Sequence, residues 1–258
     1  MIVRSNVGGP GATLTRRART LLAASVDVEW SKNYKIKNGN RPFCYSIAWV
    51  EIPHRRTAAD LTAARWGYTS VYLDDDTERP DLIDLAAHDL SAALSHADFV
   101  TGHQLSSDLA VLAANTDNVP QAIRTAQQAW RDRRTDHKVT DTRYDAGAIL
   151  TGQSRRLVDV CTELDLDVTQ PELARKSMTA LHRDWLTTRD TEARERVTVL
   201  NLRHSLSTAL VALRARDHGT WTSTLNTNQM LSDQLRGEFD WITTPTFQQL
   251  LRSPHADA

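Results

Sequence analysis

The stretch SVDVEW, residues 25–30, sets two carboxylates two positions apart in a run that otherwise reads as a strand bound for a core. In a strand, residues i and i+2 point to the same face. Asp27 and Glu29 therefore project together, while Val26 and Val28 take the other side. Two unpartnered acids on one face repel each other and lose hydration as the strand packs. A fold that keeps them needs either an exposed edge strand or a cation between them, and hard divalent ions prefer oxygen ligands of this kind.

The surrounding pattern supplies the sheet for such a strand. Residues 22–30 and 42–52 read as two strands, joined by the polar SKNYKIKNGN, whose NGN is a turn signal. Further strands are expected at 69–74 and 97–103, with a last strand or buried segment within 137–147. Helical patterns cover 80–97, a segment opening near Ser106 and Ser107, 120–134, RRLVDVCTELDL at 155–166, 171–188 and 191–216. Strands come first and helices dominate later, which predicts an α/β chain with one mixed sheet flanked by helices. Residues 1–20, with GGPGAT and RRAR, read as a flexible N-terminal arm, 21–218 as the main domain, and 219–258 as a Thr-, Asn- and Gln-rich C-terminal extension carrying Trp221, Trp241 and Phe247.

Charge and cysteine usage narrow the setting. The net charge of -1 gives no global basic excess of the kind that marks nucleic-acid binders. The cations are nevertheless mostly arginine, which suits bidentate phosphate contacts. Cys44 and Cys161 stand alone, without CxxC or zinc-type spacing, so a reduced, cytoplasmic setting is expected. LTRRARTLLAASV faintly echoes a twin-arginine export signal, but its apolar run is short and leads straight into the acids at 27 and 29. No stretch approaches the roughly 18 apolar residues of a membrane span, so no membrane partner is expected.

Two later segments extend the acidic pair into a pattern. ADFVTGHQLSSDLAVL, residues 97–112, places Asp108 in the first turn of a helix just beyond a strand ending at Gly102 and His103. VTDTRYDA follows, an Asp-Thr at a strand end, and then the LVDVCTEL helix. In order and spacing these segments resemble the DEDD (DnaQ-like) 3′–5′ exonuclease family of the ribonuclease-H-like fold, over roughly residues 22–215. The family's DxE motif is matched by Asp27 and Glu29, and its strand–GH–helix motif by Gly102, His103 and Asp108. The resemblance implies a ribonuclease-H-like mixed sheet flanked by helices, with extra C-terminal helices and a tail. It also implies a metal-dependent exonuclease acting on a DNA or RNA 3′ end. One or two Mg²⁺ or Mn²⁺ ions would be held by Asp27, Glu29 and Asp108 with a fourth acid, activating the attacking water and stabilising the leaving 3′ oxygen. In one branch of the family a histidine five residues before the fourth acid is the general base, and His204 fits that place.

The last motif departs from the family. Ala209 stands five residues after His204 and Thr208 four after, and no acid occurs between Arg196 and Arg216. Val199, Leu202, Leu206, Leu210 and Leu213 form the apolar stripe of this helix, and Asn201, His204, Ser205 and Thr208 are expected as a polar stripe on its exposed side. A fourth acid from Asp184, Asp190 or Glu192 is one solution; a neutral ligand, or three acids with one tightly held metal, is another. A degenerate site that binds nucleic acid or a protein partner is a further alternative, as is recruitment of the fold to a small phosphorylated or nucleotide-like substrate. His103, at a strand end, is expected to be structural. Trp30 either packs in the core or stacks on a terminal base.

Overall fold

The computed structural model describes residues 1–32, 39–174 and 176–251. A mixed sheet of six strands forms its centre: β1 (Ile2–Ser5), β2 (Thr20–Ser31), β3 (Arg41–Pro53), β4 (Arg65–Tyr72), β5 (Phe99–Gly102) and β6 (Val139–Asp141). Their spatial order is β1-β4-β3-β2-β5-β6. The first four are antiparallel neighbours, and β5 and β6 continue the sheet in parallel beyond β2. The expected mixed α/β architecture is therefore present.

β2 is buried on both faces, which is why TLLAASV reads as one apolar run. Leu22, Ala24, Val26 and Val28 pack into a core with helices α1 (Arg79–His96), α2 (Leu105–Ala114) and α3 (Gln121–Arg131). Leu21 and Ala23 belong to a second core on the opposite face. The period of two carries that second row on through Ser25 to Asp27 and Glu29. The parallel ladder pairs Ala23–Ser25 with Phe99–Thr101 only, whereas β2 runs on to Ser31. Both acids thus stand past the end of the parallel partner, where α2 begins. In open α/β sheets this carboxyl end of the parallel strands is the usual ligand edge. Gly102 permits the tight turn into α2, since a Cβ there would lie 2.9 Å from Leu105 and 3.1 Å from the Val26 carbonyl.

The remaining helices include α4 (Leu157–Glu163), α5 (Met178–Thr188), α6 (Thr191–Ala215) and α7 (Thr227–Leu235). α6 opens on Asp190, whose side chain accepts the Ala193 N–H, and it crosses the second face of the sheet. Its polar stripe is not exposed as the sequence suggests: Asn201, Ser205 and Thr208 are buried. The physical reason lies in β3, where Ser46 offers a small polar side chain instead of an apolar one. Ser46 Oγ lies 2.6 Å from Ser205 Oγ and donates to the Asn201 carbonyl at 3.2 Å. The apolar stripe of α6 faces the second core, in which Trp221, Leu231, Trp241 and Phe247 are also buried. The C-terminal segment therefore completes a core rather than trailing as an irregular extension.

Three further differences have local causes. Ile2–Ser5 is not part of a flexible arm but pairs with β4 from Tyr72 to Thr69, covering backbone groups that an edge strand leaves open. Helix α5 starts only at Met178, capped by Ser177, because Pro171–Leu173 forms a separate turn. Helix α2 begins from Gln104, at φ 65°, rather than from a serine cap. The SKNYKIKNGN connection lies mainly in 33–38, outside the described residues, as do residues 252–258 of the tail. No helix among the described residues is long and apolar enough to cross a membrane.

Candidate metal centre

Strand β2 and helix α6 bring together one group of possible ligands. Asp27, Glu29 and His204 each offer an atom within 4.8 Å of the other two. His204 Nδ1 lies 3.3 Å from Glu29 Oε1 and 3.6 Å from Asp27 Oδ2. The side chains of Asp27 and His204 keep 14% and 20% exposure, so the group opens to water, whereas Glu29 at 7% forms its floor. One turn before His204, the Asn201 amide nitrogen donates to Asp27 Oδ2 at 2.6 Å and to the Asp27 carbonyl at 3.2 Å. The Asp27 carbonyl can only accept, so it holds the amide in that orientation, with the Cys44 thiol 3.7 Å from Asn201 Oδ1 on the other side.

Asp108, expected as the third ligand, comes from the first turn of α2 and is 3% exposed, but it is not in the group of ligand atoms that Asp27, Glu29 and His204 form within 4.8 Å. Its Oδ2 is buried and has no hydrogen-bond partner. Burial pushes its carboxyl well above the usual range, reinforced by the charges of Asp27, Glu29 and Asp141 and opposed by the Val28 backbone N–H. Burial also pushes Glu29 up to about 7, against the contact with His204 and with help from Asp27. For His204 burial disfavours the cation, but contacts with Asp27 and Glu29 outweigh it and raise the imidazole to about 10. These shifts mark an excess of acid at this edge. Asp27, Glu29 and His204 offer a donor set that fits a divalent cation.

The supporting contacts are less visible in the sequence. His204 Nε2 meets Gln170 Oε1 at 3.1 Å, so the ring is held from behind by the segment that precedes α5. That segment is anchored by a fully buried ion pair, in which Arg203 donates to Glu172 through two nitrogens at 2.7 and 2.8 Å. Asn228 Oδ1 accepts from Arg203 Nε at 2.7 Å, and Trp241 Nε1 donates to Glu172 at 3.1 Å. Asp141, at the end of β6, accepts the Gln104 and Arg143 N–H groups and the Trp130 indole. It holds the left-handed Gln104 that aims α2, and so positions Asp108.

His103 is structural. Its Nε2 lies 2.9 Å from the Arg155 carbonyl, which only accepts, so Nε2 carries the proton and Nδ1 accepts from Thr142 Oγ1 at 2.9 Å. Burial lowers His103 to about 4, consistent with that neutral ring. The three acids considered for the missing place do not join the group. Asp184 pairs with Lys176 at 2.6 Å and Asp190 caps α6. Asp190 and Glu192 precede Asn201 by nine or more residues, about 14 Å or more at 1.5 Å per residue. The sequence marks Asn201 as a member of the polar stripe one turn from His204, though not as a partner of Asp27, and gives no sign of Gln170.

A cavity of about 460 Å³ flanks this edge, lined by Trp30, Lys32, Asn40, Gln104, Ser107 and the small side chains of α2. Trp30 follows Glu29 across a register irregularity in the β2–β3 ladder. Gln104 and Ser107 precede Asp108 in sequence. No protein-family model, curated protein or solved structure matches the chain.

Proposed function

We propose that the chain is a divalent-cation-dependent phosphodiesterase of ribonuclease-H-like fold that removes nucleotides from a DNA or RNA 3′ end. One observation carries this reading: a buried carboxylate oxygen on Asp108 has no hydrogen-bond partner and lies within the field of Asp27 and Glu29. Leaving such a group unsatisfied costs roughly 1–3 kcal/mol, more when charged. The arrangement makes sense when a cation arrives with the substrate. The mixed sheet flanked by helices, with the acid pair at the carboxyl edge of its parallel strands, supports the fold assignment.

A cation at this edge supplies a water of lowered pKa and polarises a phosphoryl oxygen. Asp27 and Glu29 would hold it, with His204 against both, and Asp108 adds a third acid whose charge is felt at the same edge. Trp30 presents an aromatic face for a terminal base, and stacking of this kind tolerates any base. Lys32 neutralises an adjacent phosphate, and Gln104 and Ser107 offer hydrogen bonds to sugar or base from the wall of the same cavity. The test is metal-dependent release of mononucleotides from a 5′-labelled oligonucleotide. Asp27→Asn and Asp108→Asn should each lower the rate at least about a hundredfold, since even outer-shell changes commonly cost ten- to a hundredfold. No release with Mg²⁺ or Mn²⁺ on single strands, duplexes or dinucleotides rejects the activity.

A second reading has its own observation. Asn201 donates to Asp27, and His204, raised to about 10, sits between Asp27 and Glu29, so these acids are satisfied without a metal. A non-catalytic chain that binds nucleic acid is consistent with that. It predicts oligonucleotide binding that is unchanged by Asp27→Asn and by chelators.

A further inference from the structure

We infer that His204 is a metal ligand, not the general base, and that the centre takes one borderline cation of the Mn²⁺, Fe²⁺ or Zn²⁺ class instead of a pair of Mg²⁺ ions. The inference rests on the phosphodiesterase reading for the presence of a cation, and on four features of this chain for its number and kind.

The first is the two ends of the imidazole. Nε2 faces the Gln170 amide oxygen at 3.1 Å, an acceptor, so in the neutral ring the proton resides there and the lone pair is on Nδ1. Metal-bound histidines are commonly held in this way, with the distal N–H given to an oxygen. The same contact occupies the nitrogen that a general base would turn to water.

Spacing is the second. Nδ1 stands 3.3 Å from Glu29 Oε1 and 3.6 Å from Asp27 Oδ2. Ligand bonds of about 2.0–2.2 Å set neighbouring donor atoms roughly 3–3.6 Å apart around a tetrahedral or octahedral ion. His204 is thus within the ligand shell, not above it.

The third feature limits the number of ions. In a two-ion centre each ion needs its own set of donors. Among the described residues a single such group comes within 4.8 Å, Asp27, Glu29 and His204, and Asn201 meets Asp27 Oδ2 with an NH₂ at 2.6 Å, a group that does not bind a cation. The fourth feature is Asp108, whose buried, unpartnered Oδ2 adds a further acid within the field of Asp27 and Glu29, outside the three-donor group. An imidazole beside two carboxylates favours first-row transition ions over Mg²⁺, which prefers oxygen ligands throughout.

The test is Mn²⁺ titration of the chelator-stripped full chain, followed by electron paramagnetic resonance with echo-envelope detection of nitrogen coupling. The expected result is one Mn²⁺ per chain with an imidazole nitrogen coupling, which disappears in His204→Gln. Millimolar Mg²⁺ should displace it poorly, and His204→Asp, an oxygen in place of the nitrogen, should narrow the Mn²⁺ preference over Mg²⁺ at least tenfold. Bound Mn²⁺ without nitrogen coupling, or two ions per chain, overturns the inference and leaves the phosphodiesterase reading standing. No bound ion with any of Mn²⁺, Zn²⁺ or Mg²⁺ overturns both.

Discussion

Glu172→Gln cuts the fully buried ion pair with Arg203 that ties the Gln170 segment to α6. Both partners are inaccessible to water, and the carboxylate accepts two Arg203 nitrogens and the Trp241 indole. A glutamine turns one oxygen into an NH₂ that meets either a guanidinium or an indole N–H, donor against donor, and leaves the arginine charge without its counterion. Breaking a buried pair in this way costs about 3–5 kcal/mol, far more than a surface pair. At about 2.1 cal/mol/K per residue, the unfolding entropy of a 258-residue chain is roughly 0.54 kcal/mol/K, so Tm should fall by about 6–9 °C. Differential scanning calorimetry at neutral pH reads the shift. The double variant Glu172→Leu with Arg203→Met should recover part of the loss, because no orphan charge remains. A fall of less than about 2 °C in the single variant, or a double variant worse than the single, would refute the argument from uncompensated charge.

Other outcomes follow from the centre and its surroundings. Asn201→Asp adds a carboxylate next to Asp27; it should lower Tm without a divalent ion and enlarge the Mn²⁺-induced rise, both read by thermal shift. Gln170→Leu removes the acceptor behind His204 and should weaken Mn²⁺ binding about tenfold by calorimetric titration. His182, stacked on Phe43 at 4.0 Å and bonded to the Tyr72 hydroxyl, is lowered by burial to about 4 despite nearby Asp76. As pH falls from 6.5 toward 4 the unfolded chain takes up a proton that the folded ring refuses, so stability drops over that window by up to about 3 kcal/mol and is unaffected above it. His182→Gln should flatten the dependence of Tm on pH between 7 and 4.5; an unchanged slope contradicts the assignment.

What the sequence made legible was local. The same-face projection of Asp27 and Glu29 follows from strand periodicity, and Asp108 follows from a strand, a glycine turn and a helix start within a few residues. The α/β order of elements was readable for the same reason. The environment of α6 was not. A stripe of Asn201, His204, Ser205 and Thr208 looks solvent-facing on an isolated helix, and only Ser46, far away in sequence, reveals that a polar row of the sheet receives it. Gln170 likewise acquires meaning through the Glu172–Arg203 pair, which periodicity does not encode. The short IVRS segment, followed by Gly- and Pro-rich chain, carries too little pattern to announce an edge strand; β4 recruits it.

The unpartnered oxygen of Asp108 as the mark of a cation site is most directly tested by the Mn²⁺-induced change in Tm of the native chain and of Asp108→Asn. Without metal the two should melt alike or the variant slightly higher, since burial already holds Asp108 toward its neutral form. At a hundredfold excess of Mn²⁺ over Kd the native chain should gain about 2.7 kcal/mol, or about 5 °C at the entropy above, and the variant less than half of that. Equal shifts in the two proteins, or no shift in either, would contradict a cation at this edge.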